Sequence, residues 1–162
     1  CTDPSKTLNP AGMQFSNIII PNKEYQKQWT DVVSNRLSVG MYSPFGLTAI
    51  IAAYTEGEVW LDQARAYIDG NIRYIESFVK ENLPKAAVMD CQGTYLVWLD
   101  LNEYCSDPEK LEELMVQKAG IVFDEGYIFG PEGNGFERIN AAAQRSTVEA
   151  CMNRMKAALD TL

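Results

Sequence analysis

The sequence contains no histidine at all. That absence removes Ser-His-Asp and Cys-His catalysis, in which an imidazole takes the proton from the nucleophile. Four cysteines, Cys1, Cys91, Cys105 and Cys151, are scattered without a C-x-x-C pair, so neither a zinc site nor a redox pair is indicated. Basic residues are also in short supply: 14 Lys and Arg stand against 22 Asp and Glu, a net charge of −8 with no basic block. A phosphate backbone is bound by clustered Lys and Arg, so a nucleic-acid partner is not expected. The apolar runs fall far short of the ~20 residues that a membrane span requires. No charged start leads into a signal-like core. The reading is a cytoplasmic chain with reduced thiols and no membrane partner.

What the sequence does contain suits a globular domain. Its 162 residues are 46% hydrophobic and 22% charged, enough to bury a core without covalent staples. The chain starts at Cys1, and a polar segment follows without an element to anchor it, which reads as a piece of a longer protein. Phe15 to Ile20 is a short β-branched run closed by Pro21, the pattern of a buried strand. Asn22 then offers a helix cap, with Tyr25, Trp29, Val32, Val33 and Leu37 forming an apolar stripe expected to be core before Gly40 stops the helix. Ser43-Pro44 is a second helix start, running to Gly57. A long amphipathic helix comes next and ends at Pro84.

The second half alternates strand and helix. Gly93 to Leu101 is apolar at nearly every position and should lie in a sheet covered on both faces. Asp107-Pro108 opens a helix closed by Gly120, and Ile121 to Phe123 is a short strand. A glycine-rich connection leads into the strand-like Phe136 to Asn140. Ser146-Thr147-Val148-Glu149 has the spacing of a capping box ahead of a terminal helix. The fold class is α/β, in two layers, with three or so strands packed against helices.

Three features could carry chemistry. Lys6 sits in a Ser/Thr/Asn/Pro-rich segment where a solvated side chain is the ordinary outcome. The stretch GYIFGPEGNGF lacks the G-x-x-x-x-G-K-[ST] pattern and leads into a strand, so it reads as a connecting loop and not a phosphate cradle. Arg138, between apolar neighbours, is either solvated or a planar donor aimed at a carboxylate.

The stretch P-S-K-T-L-N-P-A-G-M-Q resembles the lysine segment of the aminotransferase class I/II family, the fold-type I enzymes that use pyridoxal 5'-phosphate. It is most similar to the cystathionine beta-lyase-like, or C–S lyase, branch. S-P-F-G-L-T-A-I, G-N-I-R-Y, Q-G-T-Y-L-V-W-L-D and F-G-P-E-G-N-G-F-E-R-I-N-A-A resemble the same branch in the same order. The resemblance covers nearly the whole chain and implies the C-terminal portion of such an enzyme. Residues 1–21 would end the cofactor-binding domain, and 22–162 would form connecting helices and the small domain. Lys6 then matches the lysine that covalently carries the cofactor, Ser5 lies near its phosphate, and Arg138 matches the arginine holding the substrate α-carboxylate. Asp3 stands where several members have serine, and Gln14 where some aminotransferases have arginine. The aspartate, stacking aromatic and glycine-rich helix start that complete the family's cofactor site precede the lysine and are not in this chain.

The implied activity is cleavage of a β-carbon–sulfur bond in a small amino acid, with pyruvate, ammonia and a thiol as products. Transamination is the alternative, because the same lysine serves both. The implied partners are the missing N-terminal cofactor domain and a second copy in a homodimer, with Met41-Tyr42 near the neighbour's site. The chain by itself is expected to be inactive. A competing reading from the residues alone is a non-catalytic α/β interaction domain in which Lys6 and Arg138 face water.

Overall fold

The structure, a computed structural model, describes residues 1–39 and 41–162. The chain divides into two compact units, Cys1–Gln63 and Ala64–Leu162. No helix among the described residues is long and apolar enough to cross a membrane.

In the first unit, Thr2 and Asn17 exchange backbone hydrogen bonds of 2.9 and 2.8 Å, which closes the polar opening segment into a loop. This pair is an isolated bridge, and Phe15 to Ile20 is otherwise irregular, so the expected buried strand does not form. The run is β-prone, but within the unit it has no second strand to accept its ladder. Helix α1, Lys23–Thr30, starts as expected: the Asn22 side chain accepts from the amides of Glu24 and Tyr25. A wider π-type turn, Asp31–Arg36, continues it. Its apolar stripe is not core. Tyr25, Trp29, Val32 and Leu37 are all exposed, because no other segment of the unit packs over them. Gly40, expected to stop this helix, lies outside the described residues. Helix α2, Pro44–Glu56, begins with proline at its first turn as expected, although the Ser43 hydroxyl makes no capping bond. Gly46 meets the carbonyl of Met13, which an added Cβ would approach to 3.1 Å.

Helix α3, Glu58–Asn82, runs across the division between the units, and its C-terminal half supplies one wall of the core of the second unit through Ile72, Ile75, Phe78 and Val79. Pro84 follows it, as the sequence indicates. Strands β1, Ala87–Val88, and β2, Leu96–Asp100, come next. Helix α4, Pro108–Glu113, is capped by Asp107, whose carboxylate accepts from the Lys110 amide. Strands β3, Asp124–Glu125, and β4, Phe136–Asn140, precede the terminal helix α5, Arg145–Leu159.

The four strands form one antiparallel sheet in the order β1-β2-β4-β3. Burial along β2 and β4 alternates, with Val97, Leu99 and Ile139 fully inside against α3, α4 and α5. The other face, with Leu96, Trp98, Phe136 and Arg138, is half-buried. The expectation of a sheet covered on both sides therefore fails. The pairing is antiparallel, and its second face is left to aromatic residues and a loop. The third strand is displaced from Ile121–Phe123 to Asp124–Glu125, since Gly120 in the left-handed region (φ 61°) ends the preceding helix and Ile121 is drawn back to bond the Met115 carbonyl.

The capping box expected at Ser146 is also replaced. Helix α5 begins at Arg145, two residues ahead of where a Ser146 cap would start it, and the orphan amide of Arg145 donates to the Tyr67 hydroxyl of α3 at 2.8 Å. Four residues along α3, the buried Asn71 side chain donates from Nδ2 to the carbonyls of Ala141 and Ala143, both at 2.8 Å. These two bonds fasten α3 to the segment that links β4 with α5. Replacing Asn71 with alanine leaves both carbonyls unpaired and is expected to cost about 2–4 kcal/mol. Urea unfolding of the Asn71→Ala chain should show a lower midpoint with unchanged slope, and an unshifted midpoint would contradict the role.

The second buried polar residue is Glu137, 1% exposed, with Oε2 making no hydrogen bond. Burial, with Glu125 and Glu112 nearby, raises its pKa from 4.5 to about 8. The folded chain therefore keeps a proton that the unfolded chain releases above 4.5. Between those two values stability falls as pH rises, by at most about 1.4 kcal/mol per pH unit. Glu137→Gln carries no ionisable group and should flatten that decline. Unfolding curves at pH 5 to 8 that fall equally in both proteins would show that Glu137 is not its source.

Candidate functional site

Lys6 and Ser5 share one tight turn in the first unit. Its backbone is closed by hydrogen bonds from the Thr7 and Leu8 amides to the Pro4 carbonyl, at 3.1 and 2.8 Å. Pro4 is buried beneath the turn, and Lys6 is exposed. The local sequence explains the geometry, since proline fixes one dihedral of the turn and the Asp3 carboxylate accepts from the Ser5 amide at 2.7 Å. The hydrogen bonds from Ser5, helped by the Lys6 charge, hold the Asp3 carboxyl below its ordinary range. The turn thus offers a primary amine beside a fixed negative charge.

Arg138 belongs to the second unit, on the half-buried face of the sheet. The antiparallel register places Trp98 of β2 opposite it on one side and Asp124 of β3 on the other. Asp124 Oδ2 accepts from Arg138 Nε at 3.1 Å and from Nη2 at 2.6 Å. The Phe129 ring lies over the guanidinium with its centroid 4.4 Å from Cζ, and it also meets Trp98 edge-on at 5.2 Å. A pocket of about 280 Å³ opens beside this group, walled by Trp98, Leu96 and residues 89–94. The Arg138 side chain is 22% exposed and lines the pocket, so it is not a fully solvated one.

Two local devices make this arrangement possible. The glycine-rich connection folds into two short 3₁₀ turns, Gly126–Phe129 and Pro131–Gly133, whose backbones press together. A Cβ on Gly126 would stand 2.1 Å from the Gly133 carbonyl oxygen, and one on Gly133 2.0 Å from that of Gly126. Both glycines are needed for Phe129 to fold over Arg138. Across the pocket, Thr94 adopts a left-handed backbone (φ 67°), and its hydroxyl accepts from the Leu96 amide at 3.2 Å. The only thiol in the pocket wall, Cys91, has its pKa pushed up by burial, which leaves it a poor nucleophile. Among the described residues no cluster could hold a metal ion, and all four cysteines are free.

Sequence reasoning singled out Lys6, Ser5 and Arg138 but missed Asp124 and Phe129. Both are readable only through the β3–β4 register, and β3 is just two residues long. The one available signal was an acidic pair, Asp124-Glu125, ahead of a glycine-rich loop.

No protein-family model matches the chain. Cystathionine beta-lyase PatB of Bacillus subtilis is 38% identical over 159 residues, a match that takes in 98% of this chain and 41% of the relative. Cystalysin from Treponema denticola, whose crystal structure contains pyridoxal 5'-phosphate, superposes with a TM-score of 0.91 at 40% identity, over 98% of this chain and 40% of that one. The pyridoxal-phosphate-bound C–S lyase of Staphylococcus hominis, in complex with L-cycloserine, gives 0.86 at 34% identity, over 98% and 40%. The chain spans about two fifths of the length of these proteins. The chain has the fold of the aminotransferase class I/II pyridoxal-phosphate enzymes, in a C-terminal portion of it.

Proposed function

We propose that this chain works as the C-terminal part of a pyridoxal-phosphate-dependent C–S β-lyase. The substrate is a small amino acid carrying sulfur on its β-carbon, cystathionine among them, and the products are a thiol, pyruvate and ammonia. The observation that carries this reading is Arg138, a half-buried guanidinium with a planar fork beside an open pocket. A fork of that kind matches a carboxylate through paired hydrogen bonds. Relatives named for cystathionine and C–S cleavage favour lyase chemistry over transamination.

The residues of this chain fit the cofactor in part. The Lys6 amine, exposed on its turn, is the group that would hold it covalently. Ser5 is this chain's candidate for a phosphate contact, but its amide is engaged by Asp3, a carboxylate that repels a phosphate. The main phosphate seat is therefore supplied by the N-terminal cofactor-binding portion, with residues 1–21 as the end of that domain and 22–162 as connecting helices and small domain. When bound, pyridoxal phosphate supplies a sink for the electron pair left on the α-carbon. Arg138 holds the substrate α-carboxylate in the pocket. The Lys6 amine would also serve as the general base that takes the α-proton, with the thiolate leaving from the β-carbon.

The first unit supports the need for partners. Met41 is 94% and Phe45 82% exposed, and the apolar stripe of α1 is exposed as well. These side chains are covered by the N-terminal portion and by a second protomer in a cytoplasmic homodimer.

Two outcomes check this reading. The chain alone should bind pyridoxal phosphate weakly and turn over no cystathionine, whereas the full-length protein should yield pyruvate, ammonia and thiol. There Lys6→Ala should lower kcat by roughly 10²–10⁴-fold. Retained turnover in the variant would remove Lys6 from the mechanism, and accumulation of a 2-oxo acid with the thioether intact would mark an aminotransferase. Replacing Asp3 with serine removes a negative charge from the proposed phosphate side and should tighten cofactor binding several-fold in an absorbance titration. Unchanged affinity would place the phosphate away from this turn.

A further inference from the structure

The pairing of Arg138 with Asp124 has a directionality that bears on how the pocket reads its ligand. A guanidinium offers a side edge, formed by Nε and Nη2, and an end edge, formed by Nη1 and Nη2. Asp124 occupies the side edge alone and uses a single oxygen, Oδ2, for both bonds. Among the described residues nothing accepts a hydrogen bond from Nη1. Phe129 covers one face of the guanidinium plane. The aspartate is the cross-strand neighbour of Arg138, so its position is fixed by the β3–β4 ladder and not by a free loop. Of the two edges and two faces by which this planar cation can be approached, one edge and one face are already taken by the chain itself.

We propose that Asp124 is a positioning residue for α-carboxylate recognition, holding the side edge of Arg138 so that the end edge is presented to the ligand. This inference rests on the reading of Arg138 as the carboxylate-binding group. An aspartate acting as a plug would compete for the edge that the substrate uses, and its removal would strengthen binding. A positioning aspartate does the opposite: its removal frees the side chain to rotate, and the paired geometry has to be reassembled each time a substrate binds. The amide of asparagine retains an oxygen for the same two bonds, so the conservative variant preserves much of the effect.

The test uses the full-length protein loaded with pyridoxal phosphate, its cofactor absorbance serving as a check on folding. Arg138→Ala comes first: a fall in kcat/KM of at least a hundredfold is expected, and its absence would reject the carboxylate role itself, whatever Asp124 does. Given that fall, Asp124→Ala should raise KM for the amino-acid substrate about tenfold with kcat changed less than threefold, and Asp124→Asn should recover most of the loss. The same variants assayed for binding of the substrate's α-carboxamide analogue should show no loss, whereas a merely structural role would weaken both ligands alike. A lower KM in Asp124→Ala, an unchanged one, or equal losses for acid and amide would each overturn the proposal.

Discussion

The register of β4 is the constraint on which the site depends. Its five residues alternate, so that Glu137 and Ile139 point into the core while Arg138 faces the pocket. A slip of one residue would exchange these roles, burying the guanidinium and exposing the apolar side chain. The register is held from both sides, by five paired positions with β2 and two with β3. It is also held from its C-terminal end, where Asn71 of α3 takes the carbonyls of Ala141 and Ala143. A hydrogen bond between residues 70 apart in sequence thus acts on where Arg138 stands.

Strand β3 meets β4 with two charges of opposite consequence. Asp124 faces Arg138 and is attracted, while Glu125 faces Glu137 and is repelled. The repulsion is relieved because burial keeps Glu137 protonated through neutral pH. Tyr127 adds to the same corner by donating to Glu112 at 2.8 Å, a bond that raises the tyrosine pKa. The core-facing side of this short strand is therefore an acidic cluster tolerable only while one member stays neutral. The pocket-facing side gains an ion pair from the same two residues of backbone.

Much of the fold could be read from local chemistry. Asn22 and Asp107 cap their helices, Pro44 and Pro108 open theirs, and Gly120 ends one, because each of these acts on backbone groups within four residues. Leu111, Leu114, Met115, Val148, Met152 and Met155 fall inside as their helical spacing indicates. Apart from the third strand, displaced locally by Gly120, the failures are nonlocal. The stripe of α1 has the right period for a core helix, yet periodicity says nothing about whether the covering surface lies in the same stretch of chain. Ser146 has the spacing of a cap, but it lies inside the helix, where the Val148 amide it would have taken bonds the Gln144 carbonyl and Tyr67 of α3 takes the amide of Arg145. At the site, the lysine and the arginine stood out through their resemblance to a family motif. Asp124 and Phe129 did not, since their meaning lies in which strand they neighbour.

The two candidate groups differ in how completely their surroundings are built within this chain. Arg138 has an ion-pair partner, an aromatic cover, a strand on each side and a pocket wall, all from Ala64–Leu162. Holding a carboxylate in paired geometry needs little more than that. Lys6 has an exposed turn and a neighbouring carboxylate kept ionised by Ser5. The surroundings of Lys6 within this chain are thus a single exposed turn, whereas those of Arg138 are preassembled. The second unit thus builds its guanidinium and pocket as a rigid part from its own strands and loop, while the first presents its amine on an open turn.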